Sequence, residues 1–304
     1  MPDALPGGTR SLAELVPLAA ELCDLKRVRD ASSPDTVASR LFRRAWAALA
    51  AGQSVGDVAM STTADAVAAA RLGGIDRFVL EAAGLSPDEA LAVLERSFDE
   101  AGASIAPGFV RLLRSGLARD MRPGAAPAFA EALIRQPRAG ATCPGKPRIV
   151  LEPPEGHGDH CLVVSVLACL LAPHYAADPA PAFLAGMAHH LHNASLPDSG
   201  FAGEVLLGEH LEPIMARLFA RELATLPPPL AAETRAALDL IRAADTPVGR
   251  AFHAADVIDR VLQMRHYEQV ARFTTAQALD DLDLVHAGPV QSFHQAVLRD
   301  AGLP

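Results

Sequence analysis

The sequence predicts an almost all-α protein, on three observations. Of 304 residues, 50% are hydrophobic and only 5% aromatic, so the chain can bury a large aliphatic core rich in Ala and Leu. Ala, Leu, Arg and Glu recur at three- and four-residue spacing along most of the chain, the period of a helix face. Runs of β-branched residues are scarce, apart from Arg148-Ile149-Val150-Leu151.

Taken in order, the pattern predicts helices over residues 11–30, 34–51, 63–72 and 75–83. The next, over 87–101, opens on Ser86-Pro87-Asp88-Glu89. There the Ser hydroxyl and Glu carboxylate satisfy each other's free backbone N–H groups, and Pro occupies the first helical position. Between Arg122 and Gly158, Pro123, Gly124, Pro127, Pro137, Gly140, Pro144, Gly145, Pro147, Pro153 and Pro154 interrupt helix formation, leaving room for a short helix over 126–135. This sets the expected organisation: an N-terminal helical domain (1–122), a Pro/Gly-rich connector (123–156) and a second helical domain (157–304). Downstream helices are predicted over 160–171, 179–191, 201–224, 229–244, 248–273 and 289–301, the second of them capped by Asp178-Pro179. No repeat of solenoid period is visible.

The net charge of −9 argues against nucleic acid or an anionic membrane as a partner, since both need a basic face. The first ten residues lack a charged region followed by an apolar run and a small-residue cleavage pattern, and the longest apolar run, 161–172, is too short to span a bilayer. Cys23, Cys143, Cys161 and Cys169 form no CxxC pair and read as reduced thiols. Together these set the expectation of a cytoplasmic protein.

All eleven histidines follow residue 156, and they are not scattered evenly. His160 opens one apolar helix, His189 and His190 end the next, and Asp256 lies inside a third. Burying several imidazoles and a carboxylate is costly unless something satisfies them. A divalent cation would, because neutral imidazole nitrogen and carboxylate oxygen are its common ligands.

The ordered stretches "DHCLVVSVLACLLA", "FLAGMAHHLHN" and "FHAADVIDRV" resemble the signature of the HD-domain superfamily over roughly residues 148–275. That pattern is a His, a His-Asp doublet ending an apolar helix, and a distant Asp. The resemblance implies an all-α, HD-domain-like bundle binding one or two divalent metals, with phosphoester hydrolysis the common activity. His160 then matches the first histidine, His189 the doublet histidine, His190 the doublet aspartate position and Asp256 the distal aspartate, with 189 − 160 = 29 residues between the first two.

Two departures change the implied chemistry. His190 replaces a carboxylate able to bridge two ions, and imidazole does not bridge in that way, so one ion is expected rather than two. Three imidazoles and one carboxylate suit Fe, Zn, Co, Ni or Mn and leave the site net positive, which favours a small anionic substrate. Asn193 stands where nucleotidase-like members carry an acidic residue, and it could orient water or a phosphate oxygen. Asp198, a few residues on, is the candidate general acid/base, or else an ordinary turn residue. His210, His192 and His157 are candidate additional ligands. Asp259, beside Arg260, makes a surface ion pair or supports a ligand from behind, and Arg242, Arg250 and Arg265 are candidates to grip phosphate.

In the N-terminal half, Leu25-Lys26 and then Asp35-Thr36-Val37-Ala38 faintly resemble the opening of nucleotidase-like HD domains, with Ser39 where the first histidine would fall. These helices either form an accessory domain packed on the metal-binding half or supply a homodimer interface. The leading expectation is a metal-dependent phosphohydrolase acting on a small phosphorylated metabolite or nucleotide. The alternatives are an HD-type iron oxygenase and a degenerate HD module serving as a regulatory or assembly partner.

Overall fold

The computed structural model describes residues 12–30, 34–269 and 291–300, and all regular structure within them is helical. The β-branched run at 148–151 contributes only an isolated bridge between Ala141 and Ile149. The described residues up to Arg260 belong to one compact unit, and Val261–Pro304 to another.

At the centre of the first unit lies α8 (His157–Leu171), every residue of which is buried. A helix apolar on all sides has to be enclosed. The N-terminal half supplies much of the enclosure: α2 (Val37–Ala50) and α3 (Val55–Leu72) pack on α8, as does α7 (Ala128–Arg135). The expected boundary at 123–156 therefore runs inside a single compact unit. Trp46 of α2 packs edge-on against Phe129 of α7, with ring centroids 4.8 Å apart. The stretch His157–Tyr175 has the length and hydropathy to cross a membrane, but most of it is buried here as the core helix.

Closest to α8 is α9 (Pro179–Ala188), N-capped by Asp178, whose side chain accepts from Ala180 N–H. Gly186 makes the close approach feasible, since a Cβ there would lie 2.6 Å from Ser165 Cα. Helix α9 ends at Ala188 and not at 191; His189 caps it and a 3₁₀ turn, Leu191–Ala194, follows.

Other boundaries differ for local reasons. The third helix starts at Val55, eight residues before the expected 63, because Ser54 caps it through Asp57 N–H. Short helices α4 (Arg77–Ala82), capped by Asp76, and α6 (Pro107–Arg114) flank α5 (Pro87–Ala101), whose capping box forms as expected. Helix α6 was not anticipated. The stretch expected as one helix over 201–224 is broken into α10 (Gly200–Leu207) and α11 (Leu211–Leu223) by Gly208 at φ 51°. Helix α1 (Leu12–Asp24) ends in a turn before residue 30, α12 is Pro228–Leu240, and α13 (Pro247–Gln269) carries the distal acidic residues. A last helix, α14 (Gln291–Asp300), lies in the second unit. The expected helix ends at 11, 273, 289 and 301 lie outside the described residues.

Candidate metal centre

Three imidazoles from two adjacent helices meet at one point. His160 lies in the first turn of α8, while His189 and His190 lie where α9 gives way to the 3₁₀ turn. His160, His189 and His190 offer ring nitrogens within 4.8 Å of one another, a group that could hold a metal ion.

The hydrogen bonds behind these rings decide which nitrogen each presents. His160 Nδ1 lies 2.8 Å from Asp259 Oδ2, so it carries the proton and donates. His189 Nδ1 donates to the Gly186 carbonyl at 2.7 Å. His190 Nδ1 donates to Asn193 Oδ1 at 2.8 Å, and Asn193 is itself oriented by donating from Nδ2 to the Leu196 carbonyl. With every Nδ1 committed, each ring has only Nε2 to offer, as a lone pair. His160 Nε2 and His189 Nε2 face one another at 3.1 Å. Two lone pairs cannot bond to each other at that separation. It is, however, the spacing of two nitrogens each about 2.1 Å from one ion and roughly at right angles.

All three rings are held neutral, the state a ligand requires. Burial, then the charge of Arg138, keeps His160 well below the usual histidine range. Burial brings His189 down to about 3 and, with the neighbouring imidazoles, keeps His190 well below its ordinary value. Asp256 of α13 adds a carboxylate: its Oδ1 is 3.5 Å from His160 Nε2, and Oδ2 takes Arg260 at 3.0 Å. Burial raises the Asp256 carboxyl, with Arg260 acting in the other direction. The three neutral imidazoles, with the Asp256 carboxylate nearby, make a donor set that could hold a divalent metal ion.

Behind the cluster lies a buried ionic layer. Lys26 Nζ, just past α1, sits 2.5 Å from Glu155 Oε1 and 2.6 Å from Asp259 Oδ1. Burial opposes its charge, but Asp259 and Glu155 outweigh that and hold the ammonium above the usual lysine value. Glu155, His160 and Asp259 also have the spacing of a metal site. The ammonium already lies against both carboxylates, so we assign the cation position there to Lys26. Asp159, next to His160, is held by the Thr36 and Ser39 hydroxyls at 2.5 and 2.6 Å.

The remaining candidates divide. His157 is fully buried, its ring tilted against His190 with centroids 4.7 Å apart, and neither of its nitrogens is hydrogen-bonded. Burial and then Arg138 bring it down to about 4. His192 is buried against Phe219, also brought to about 4 by burial. His210 is exposed in the turn Gly208–His210 and does not join the cluster. Asp198 lies at the edge, Oδ2 3.7 Å from His157 Nε2, and each oxygen accepts a backbone N–H, from Gly200 and Ala139. Asn193 is committed to His190 and Leu196, which makes it a positioning residue.

Asp259 is fully buried and supports His160, so of its two expected placements the surface pair is excluded. Of the arginines thought able to grip phosphate, Arg242 pairs with Asp239, Arg250 donates to the Asp245 carbonyl, and Arg265 belongs to the second unit. Two cations bear on the cluster: Arg138, itself 3.6 Å from Glu155, disfavours protonation of His157, His160, His189 and His190, and Lys26 acts the same way on His160. Sequence reasoning missed Arg138 and Glu155. Both sit in the Pro-rich segment, where no helical period marks a face. Comparison with protein-family models, with curated proteins and with solved structures finds no match.

Proposed function

We propose that the chain is an HD-like, metal-dependent phosphohydrolase for a small phosphorylated metabolite or nucleotide. The observation that carries the reading is the convergence of three neutral imidazoles, each with Nδ1 tied back so that only Nε2 is offered. His160, His189, His190 and Asp256 would hold one divalent ion, which when bound polarises a phosphoryl oxygen and lowers the pKa of a coordinated water. Arg138, paired with Glu155 at 3.6 Å, carries positive charge that acts on the imidazoles, and we assign it the phosphate oxygens. Asp198 Oδ2, facing His157 Nε2 at 3.7 Å, is the group we assign to proton transfer, with the loop backbone fixing its orientation.

The test is elemental analysis of the purified protein after metal loading, followed by a screen of phosphomonoesters. Near one equivalent of metal is expected in the wild type, and none in His160→Ala or His189→Ala. Arg138→Ala should keep the metal and lose hydrolysis. Iron without phosphatase activity would favour the oxygenase, and no bound metal would favour a regulatory or assembly module.

A further inference from the structure

We propose that the N-terminal half carries a second ligand site, a cavity for a nucleoside phosphate, separate from the histidine cluster. Between α2, α3, α4 and the segment 119–124 lies a cavity of 460 Å³. That is within the range of about 300–1,000 Å³ typical of small-molecule sites. None of the cluster's histidines lines it.

Its walls combine a flat apolar platform with guanidiniums that keep donors free. Five arginines line it, against the carboxylates of Asp65, Asp76 and Asp120. Three of them are neutralised at hydrogen-bond distance: Arg40 by Asp76 at 2.8 Å, Arg77 by Asp120 at 3.0 Å, and Arg119 by Asp57. The other two are held more loosely, Arg44 in longer ion pairs and Arg122 with no carboxylate. Arg44 lies 3.6 Å from Asp65 and 3.8 Å from Asp76, and makes no hydrogen bond among the described residues. The Arg122 guanidinium donates to the carbonyls of Ala51 and Gly52 and has no carboxylate partner among the described residues. Two guanidiniums with free donors on one cavity suit a phosphate chain, which accepts paired N–H groups.

Phe78, 64% exposed at the rim, has the Arg44 guanidinium 5.5 Å from its ring centroid. Ile75 is 44% exposed beside it. An exposed aromatic face next to a cation is a platform for a flat heterocycle. Asp65 and Asp76 offer acceptors to ring amino groups or sugar hydroxyls. A base stacked on Phe78 with its phosphates on Arg44 and Arg122 uses every one of these features.

The probe is ATP, titrated calorimetrically into the full chain in EDTA, with inorganic tripolyphosphate as the ring-free control. We expect saturable ATP binding, with tripolyphosphate weaker by about tenfold. Arg44→Ala and Arg122→Ala should each weaken ATP by about tenfold, and Phe78→Ala by about fivefold while sparing tripolyphosphate. His189→Ala should leave ATP binding unchanged. Arg122 and Phe78 are exposed, so their variants keep the test intact even if Arg44→Ala fails to fold. Absence of saturable binding, equal affinity for ATP and tripolyphosphate with Phe78→Ala silent, or loss of binding in His189→Ala would each overturn the proposal.

Discussion

As a candidate ligand, His160 depends on what stands behind it. Asp259 holds its proton on Nδ1, and Lys26 in turn balances Asp259. Asp259→Asn should therefore weaken metal binding by about 10- to 100-fold while the helices persist, as a competitive chelator titration would show. Lys26→Met leaves Asp259 buried without its ammonium and Glu155 with Arg138 alone at 3.6 Å, and should cost on the order of 3–5 kcal/mol in urea unfolding. His190→Asp should restore a carboxylate able to bridge and shift preference toward Mn or Mg, read by metal content under identical loading. If neither metal content nor identity changes, His190 is not a ligand. The cluster's histidines were legible because imidazole is unusual in apolar helices. The role of Lys26 was not, although the chain carries only Lys26 and Lys146 against 25 arginines. Its significance lies in tertiary fit: a compact ammonium reaches two carboxylates at once, where a planar guanidinium would need more room.

At the scale of elements, the early end of α9 matters most. Within a continuing helix, successive residues point about 100° apart. The change to a 3₁₀ turn brings the rings of His189 and His190 to 4.2 Å, both against His160. Sequence periodicity located α9 but not its last residue, since no Gly or Pro marks the stop. Capping signals fared better: the Ser86 box set the start of α5, whereas Ser54 went unread because the buried hydroxyls Ser61-Thr62-Thr63 interrupt the apolar pattern of α3. Gly186→Ala tests the α8–α9 contact directly. The added methyl must displace Ser165, so we expect about 1–3 kcal/mol of lost stability and weaker metal binding, from thermal unfolding and metal titration of one preparation.

For the whole molecule, five histidines, three buried (157, 160 and 192) and two half-buried (189 and 190), share one response to acid. Each is depressed in the folded state, so below pH 6.5 the unfolded chain takes up protons the folded chain refuses. Stability is full above that pH and falls as acid is added, by up to about 1.4 kcal/mol per pH unit for each ring. A cooperative transition between pH 6.5 and about 4, followed by circular dichroism, is the expected result. Helical class was legible in composition and period, but the packing of α2 and α3 on α8 across the Pro-dense segment was not. The Pro-dense segment looks like a linker in one dimension, while Thr36, Ser39 and Lys26 reach across it to fasten α8 and α13. That fastening has a practical consequence. One cation beside His160 is tethered to the chain by peptide bonds, and the other would be exchangeable. Chelators should thus empty the site without melting the scaffold, so a preparation with a native-like spectrum and no activity would call for remetallation before it is judged inert.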